Sequence, residues 1–410
     1  MLPSLAASKA VSVASAKAAD WHAVRAGFDL DSRVTHLNTA GLGAISRRVR
    51  ERRARAELDI ARDPALGQTG AAALDDARSR VAALINGNAD DIAITRSTTE
   101  GLNLFAFGLD FRAGDEVILG SEEHNAALAP YRALERRIGI KLVRVELPAV
   151  ESLDSGRILD AYRKAITPRS RVIVASHVTY RSGTVLPIRE LAALAHQHGL
   201  LISIDGAQSF GLLPLDIRAL DLDHYAAPGQ KWLLAGTGTG LVWIRRELQS
   251  RVHPLSGDYD PQSQLPAEHT ARRYEKTGQR NVADLHGLGE ALDLHASIGT
   301  TRIAGRVREL TTRLRTGVDE LDVARIHTPA SAELSAGIVS FTLRSLPVQA
   351  VFDALRARQI IVRTVPLGAE TGIRVSTHVY NTEDDVDRLL ALLRDFAAKP
   401  ALLTSSSLPG

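Results

Sequence analysis

The sequence predicts an α/β protein in which helices cover both faces of a mostly parallel sheet, followed by a small C-terminal α+β domain. Short β-rich runs at 91–95, 116–119, 141–146, 171–176 and 200–204 alternate with amphipathic helical segments at 99–109, 126–137, 155–166 and 188–198. Apolar strands separated by helices in this way form parallel sheets buried between two layers. Beyond residue 282 the order changes: helices at 282–298 and 302–321 precede strand 338–343, helix 347–358, strands 360–363 and 373–376, and helix 382–397. We expect a large domain over 21–285 and a small one over 286–402, a division that 410 residues readily support.

Taken in order, residues 1–20 are rich in Ala, Ser and Val but interrupted by Lys9 and Lys17, and are expected as a flexible arm rather than the remnant of an export signal. An extended piece at 34–37 leads into the turn Asn38-Thr39-Ala40-Gly41-Leu42-Gly43, whose glycines let the backbone lie close to a ligand or another strand. Ser46 is an N-cap for an Arg-rich helix that Pro64 and Gly67 end, and a second helix at 71–85 stops at Asn86-Gly87, where a left-handed cap is expected. After Trp243-Ile244 a polar connection at 253–279 is long enough to be functional or interfacial. The tail, 403–410, is expected to be disordered.

Composition narrows the chemistry. There is no cysteine, which excludes disulfides, Cys-ligated zinc and thiol nucleophiles, and no metal site is expected. The net charge is only +3, and the one basic block, at 47–55, sits at helical spacing with Glu51 and Glu57. It reads as a solvated or interface helix face, so no nucleic-acid partner is expected. No apolar run reaches the roughly 18 to 20 residues of a membrane span, and a cytoplasmic protein is expected.

In a parallel α/β sheet ligands bind at the carboxyl ends of the strands, and the polar clusters of this chain fall there. Asp205 ends the apolar run 200–204 and is costly to hold without a cationic partner. Lys231 follows on a later loop, between Gly229-Gln230 and Trp232, in a chain whose positive charge is almost all arginine. Acid and lysine together are what pyridoxal phosphate (PLP) needs: an amine for the Schiff base and a carboxylate that keeps the pyridine nitrogen protonated. Arginine cannot replace that lysine, since a guanidinium does not form the imine. Gln208 could donate to the cofactor's phenolic oxygen. Ser97, Thr98 and Thr99, between a strand and a helix, form either a phosphate site or a plain capping box with Glu100. His124 could lie on an aromatic cofactor or be an exposed loop histidine. The stretch 176–184 is too polar for a simple connector, although His177 could be only a structural hydrogen-bonder. Arg374, inside an apolar strand, needs an anion: a substrate carboxylate or a structural salt bridge.

In this order HLNTAGLGAIS, STTEGLN, EEHNAALAPY, SHVTYRSGTVLPI, DGAQSFG, GQKW, TGQRN and IRVSTHVYNTEDDV resemble the class V aminotransferases among fold-type I PLP enzymes. That family includes cysteine desulfurases, selenocysteine lyases and isopenicillin N epimerases, and HVTYRSGTVLPI is most similar to the epimerase branch. The resemblance implies a mostly parallel, seven-stranded type of sheet and a homodimer with sites at its interface. It implies Lys231 as the Schiff-base lysine, Asp205 on the pyridine nitrogen, Gln208 at the phenolic oxygen and His124 on the ring. Thr98, Thr99 and Gln230 would hold the phosphate, Gln279 would reach the neighbour's phosphate, and Arg374, with Asn38 and Tyr180, would take the substrate. Gln230 stands where the family usually has His, and Gln279 where it usually has Thr. The mobile loop that bears the desulfurases' reactive cysteine is here 363–368, without a thiol. The expected activity is deprotonation at Cα of an amino acid by Lys231, followed by epimerisation, with β-elimination or transamination as alternatives. A catalytically silent PLP-binding protein is the rival from another class.

Overall fold

In the computed structural model, which describes residues 20–256 and 270–403, the strand–helix alternation forms one seven-stranded sheet. Its strands are β1 (Ile92–Thr95), β2 (Glu116–Gly120), β3 (Lys141–Val145), β4 (Ser170–Ser176), β5 (Leu201–Asp205), β6 (His224–Pro228) and β7 (Gly240–Ile244). Their spatial order is β1-β7-β6-β5-β4-β2-β3. Strand β7 pairs antiparallel with β1 and β6, and the other neighbours pair parallel. Adjacent residues go to opposite faces, as the period of a strand requires. Ile118, Ile173 and Ile202 pack with Leu191, Leu285 and Leu292 on one side. Val117 and Val172 pack with Leu102, Phe105 and Leu134 on the other.

A second, antiparallel sheet follows in the order β10-β11-β9-β8, made of β8 (Ala324–Ile326), β9 (Ile338–Leu343), β10 (Arg363–Leu367) and β11 (Glu370–Ser376). Helices Thr300–Asp319 and Glu383–Ala398 cover it through Leu310, Leu314, Leu389 and Leu393. Residues 363–368, expected as a mobile loop, are a correction: 363–367 form β10 and pair with β11 from Arg363↔Arg374 to Leu367↔Glu370, and Gly368 lies in the turn that follows. Val365 and Leu367 are buried, in alternation with half-buried Thr364 and exposed Pro366. Because β10 is an edge strand, Pro366 need not supply a ladder donor there. The N-terminal segment bridges the two sheets. Thr35–His36 pairs with Ile360–Ile361, and Leu37 lies in the core of the smaller sheet.

The local signals have physical counterparts. Ser46 caps helix Arg47–Arg62 by accepting from the Val49 N–H, and Asn86 is left-handed, with φ 51°. The arginine face of that helix is only partly solvated: Arg48 and Arg53 pair with Glu290 and Asp284 of helix Val282–Ile298. No helix among the described residues is long and apolar enough to cross a membrane. Positions 1–19 of the expected arm, 257–269 of the polar connection and 404–410 of the expected tail lie outside the described residues.

Candidate active site

Because β1, β2, β4, β5 and β6 run the same way, the residues that follow them emerge at one edge of the sheet. A cavity of about 670 Å³ opens there, lined by Thr98, Thr99, His124, Tyr180, Asp205, Gln208, Gln230 and Lys231. The second sheet contributes Arg363 and Arg374, and the N-terminal turn contributes Asn38 and Gly41. Of the residues singled out in the sequence, Gln279 alone among the site candidates is not on this wall; it is exposed. His177 lines a different cavity, with Val185 and Leu213, and burial lowers its pKa to about 4.

Asp205 ends β5, is buried, and accepts from the Ala207 N–H at 2.8 Å. Burial raises its pKa, and the charge of Lys231 opposes that rise. Lys231 keeps part of its surface on the cavity. Removal from bulk water draws its ammonium down to about 8, against the pull of Asp205, and Arg374 depresses it further. The lysine loop is fixed from behind. The Gly43 N–H donates to the Gln230 carbonyl at 2.9 Å, and a Cβ on Gly43 would collide with the Lys231 carbonyl oxygen. This is the close backbone approach that the glycines of the N-terminal turn were expected to permit.

At the start of helix Thr98–Gly108, Ser97 accepts from the Glu100 N–H, and the Arg96 N–H donates back to Glu100. Glu100 thus accepts from the residue before the N-cap and not from Ser97 itself, so the expected capping box is corrected to a one-sided Ser97 cap, and Ser97, Thr98 and Thr99 line the cavity. A capped helix start of this kind still offers hydroxyls and amides to an anion. His124 caps the next helix, its Nδ1 accepting from the Ala126 N–H at 3.1 Å. That leaves the proton on Nε2, and partial burial and the charge of Lys231 lower the pKa. Tyr180 meets the His124 ring edge-on at 5.0 Å.

Arg374 resolves one alternative left open by the sequence. Its guanidinium donates to the Tyr180 carbonyl and to Asn38 Oδ1, its buried Nε has no partner, and it has no carboxylate partner among the described residues. Burial brings its pKa down to about 10, helped by Arg363. Arg363 was not singled out from the sequence, where the strand-period alternation of 363–367 was obscured by Pro366. Glu123 was also missed. It lies under the cavity with Oε1 and Oε2 accepting from Ser176 N–H and Oγ–H, and burial pushes its pKa up to about 8.

These residues fit PLP. A lysine amine without an ion-pair partner among the described residues, a buried acid, a polar helix start and an arginine with an unsatisfied Nε face one cavity. Pyridine nitrogen, aldehyde, phosphate and substrate carboxylate would each have a matching group.

A sequence model of the class-V aminotransferases matches residues 61–389. The chain is 31% identical to isopenicillin N epimerase of Streptomyces clavuligerus over 90% of this chain and 97% of that protein. It is 31% identical to a probable cysteine desulfurase of Methanothermobacter thermautotrophicus over 79% and 84%. Among solved structures, a variant of C-DES with glycine covalently linked to the PLP cofactor superposes with a TM-score of 0.83 at 25% identity, covering 90% of this chain and 99% of that one. The cystine C–S lyase C-DES in complex with cysteine persulfide gives a TM-score of 0.82 at 26% identity, covering 89% and 98%. The chain belongs to the class-V aminotransferase family.

Proposed function

We propose that this PLP-dependent enzyme inverts the Cα configuration of an amino acid or an amino-acid-derived substrate. The observation that carries the proposal is the placement of Lys231 and Arg374 on one cavity: an amine that is substantially neutral near pH 8 beside a guanidinium without a carboxylate partner. Similarity to an isopenicillin N epimerase along nearly the full length of both chains supports inversion over the alternatives.

Lys231, Asp205, Gln208, His124, Gln230, Thr98 and Thr99 would hold the cofactor, which supplies an aldehyde for the amine and a ring that accepts electrons from Cα. Arg374, braced by Asn38 and the Tyr180 carbonyl, orients a substrate carboxylate through its fork. Lys231, once displaced, is a base of suitable strength to hold and move the Cα proton. Burial penalises the Asp205 carboxylate, and a cation beside it would offset that penalty, so Asp205 would favour a protonated nitrogen at its end of the cavity. Because Gln279 is exposed and off its own cavity, a phosphate contact from it would come from a second copy of the chain.

C–S bond cleavage is the second reading, favoured by the likeness to the cystine C–S lyase. With no cysteine in the chain, sulfur could not be carried on an enzyme thiol. The test is a panel of single-enantiomer amino acids incubated in D2O, followed by chiral and mass analysis. Deuterated product of inverted configuration is expected. Pyruvate with released sulfur would establish the lyase instead, and bound cofactor without Cα exchange on any substrate would remove both.

A further inference from the structure

Gln208 is 2% exposed, and both ends of its amide are held. Its Oε1 accepts from the indole Nε1–H of Trp232 at 2.8 Å, and its Nε2 donates to the Ala40 carbonyl at 3.0 Å. An indole N–H can only donate and a backbone carbonyl can only accept. Turned over, the amide would set donor against donor and acceptor against acceptor. One amide N–H remains, on a side chain that lines the cavity.

Trp232 is itself fixed from the second sheet. It is fully buried, and its carbonyl accepts from His378 Nε2 at 2.9 Å. His378 Nδ1 accepts from the Val379 N–H, which places the ring proton on Nε2. Burial lowers the His378 pKa to about 3, so the ring is neutral and this tautomer persists. A Cβ on Gly337 would collide with the indole ring, so the ring is held on that side as well.

The geometry points to Trp232 as a positioning residue, resting on the PLP site proposed above: it makes Gln208 an obligate hydrogen-bond donor at the cavity wall, suited to an anionic phenolic oxygen. Trp232 directly follows Lys231, so one peptide segment sets both the amine and the orientation of the amide that faces the same ligand. A donor at that oxygen changes the proton affinity of the bound chromophore, which gives a readout independent of turnover.

The experiment is a pH titration of the absorption spectrum of the purified holoprotein, for wild type, Trp232→Phe and Gln208→Leu. Both variants are expected to move the midpoint between the visible and near-ultraviolet bands in the same direction, by about 0.5 to 1 pH unit, the equivalent of one hydrogen bond. A shift in Gln208→Leu with an unchanged midpoint in Trp232→Phe would overturn the role of Trp232. A wild-type protein that takes up no PLP would remove the site and the inference with it. If Trp232→Phe does not fold, indole N–H exchange read by NMR decides. The Trp232 signal is expected to be protected in wild type and to exchange at least tenfold faster in Gln208→Leu. Equal protection in both would contradict the bond.

Discussion

Arg363 and Arg374 stand directly opposite each other in the antiparallel pair β10–β11. Both line the cavity, and neither has a carboxylate partner among the described residues. Like charges opposite each other in a sheet are destabilising unless an anion lies between them. Arg363→Gln is therefore expected to stabilise the cofactor-free protein by about 0.2 to 1 kcal/mol in urea unfolding. Arg374→Gln removes a charge-assisted bond worth about 1.5 to 3 kcal/mol, and should raise KM roughly ten- to hundredfold. Steady-state kinetics with a substrate and with its carboxamide provide the check, since the carboxamide should lose little.

Lys231 has its pKa lowered to about 8 from 10.5. The rate of PLP capture by the apoprotein should rise with pH and level off above about 8, as seen by stopped-flow absorbance. The linkage has a definite sign. Between about 8 and 10.5 the unfolded chain binds more protons at this site, so its contribution makes apoprotein stability rise with pH across that window. Lys231→Met should abolish that slope.

Glu123 behaves in the opposite sense. Its pKa is raised from 4.5 to about 8 by burial, reinforced by Asp205 and Glu122. The folded state binds more protons here between these values, so this contribution to stability is present at low pH and is lost as pH rises toward 8. Glu123→Gln should flatten the dependence. Urea midpoints at the two ends of the window for both proteins test it, and an unchanged slope would rule out Glu123 as its source.

Gly43 leaves no room for a side chain against the Lys231 carbonyl and Leu234. Gly43→Ala should destabilise the fold by about 1 to 3 kcal/mol through overpacking. Because the strain falls on the lysine loop, cofactor affinity should weaken with it, as measured by equilibrium dialysis of PLP.

Much of this site was legible because its residues break the local pattern. Asp205 ends an apolar run, Lys231 is a rare lysine among arginines, and Arg374 interrupts a strand. Parallel strands then bring such residues to one edge whatever their separation in the chain. Strand β10 was hidden because Pro366 reads as a breaker, and only its edge position in the finished sheet permits it. Nothing in the sequence marks Glu123 as buried, because the Ser176 groups that bind its carboxylate lie on another strand. The bonds from Trp232 to Gln208 and from His378 to Trp232 join residues far apart in sequence through side-chain directions that no periodicity encodes.

The most direct measurement is borohydride reduction of the PLP-loaded protein, followed by proteolysis and mass mapping of the adduct. The chain contains seven lysines, at 9, 17, 141, 164, 231, 276 and 399. A single stoichiometric pyridoxyl adduct on Lys231, absent from Lys231→Ala, is the expected result. An adduct on another lysine, or no adduct in a protein that has taken up the cofactor, would contradict the account.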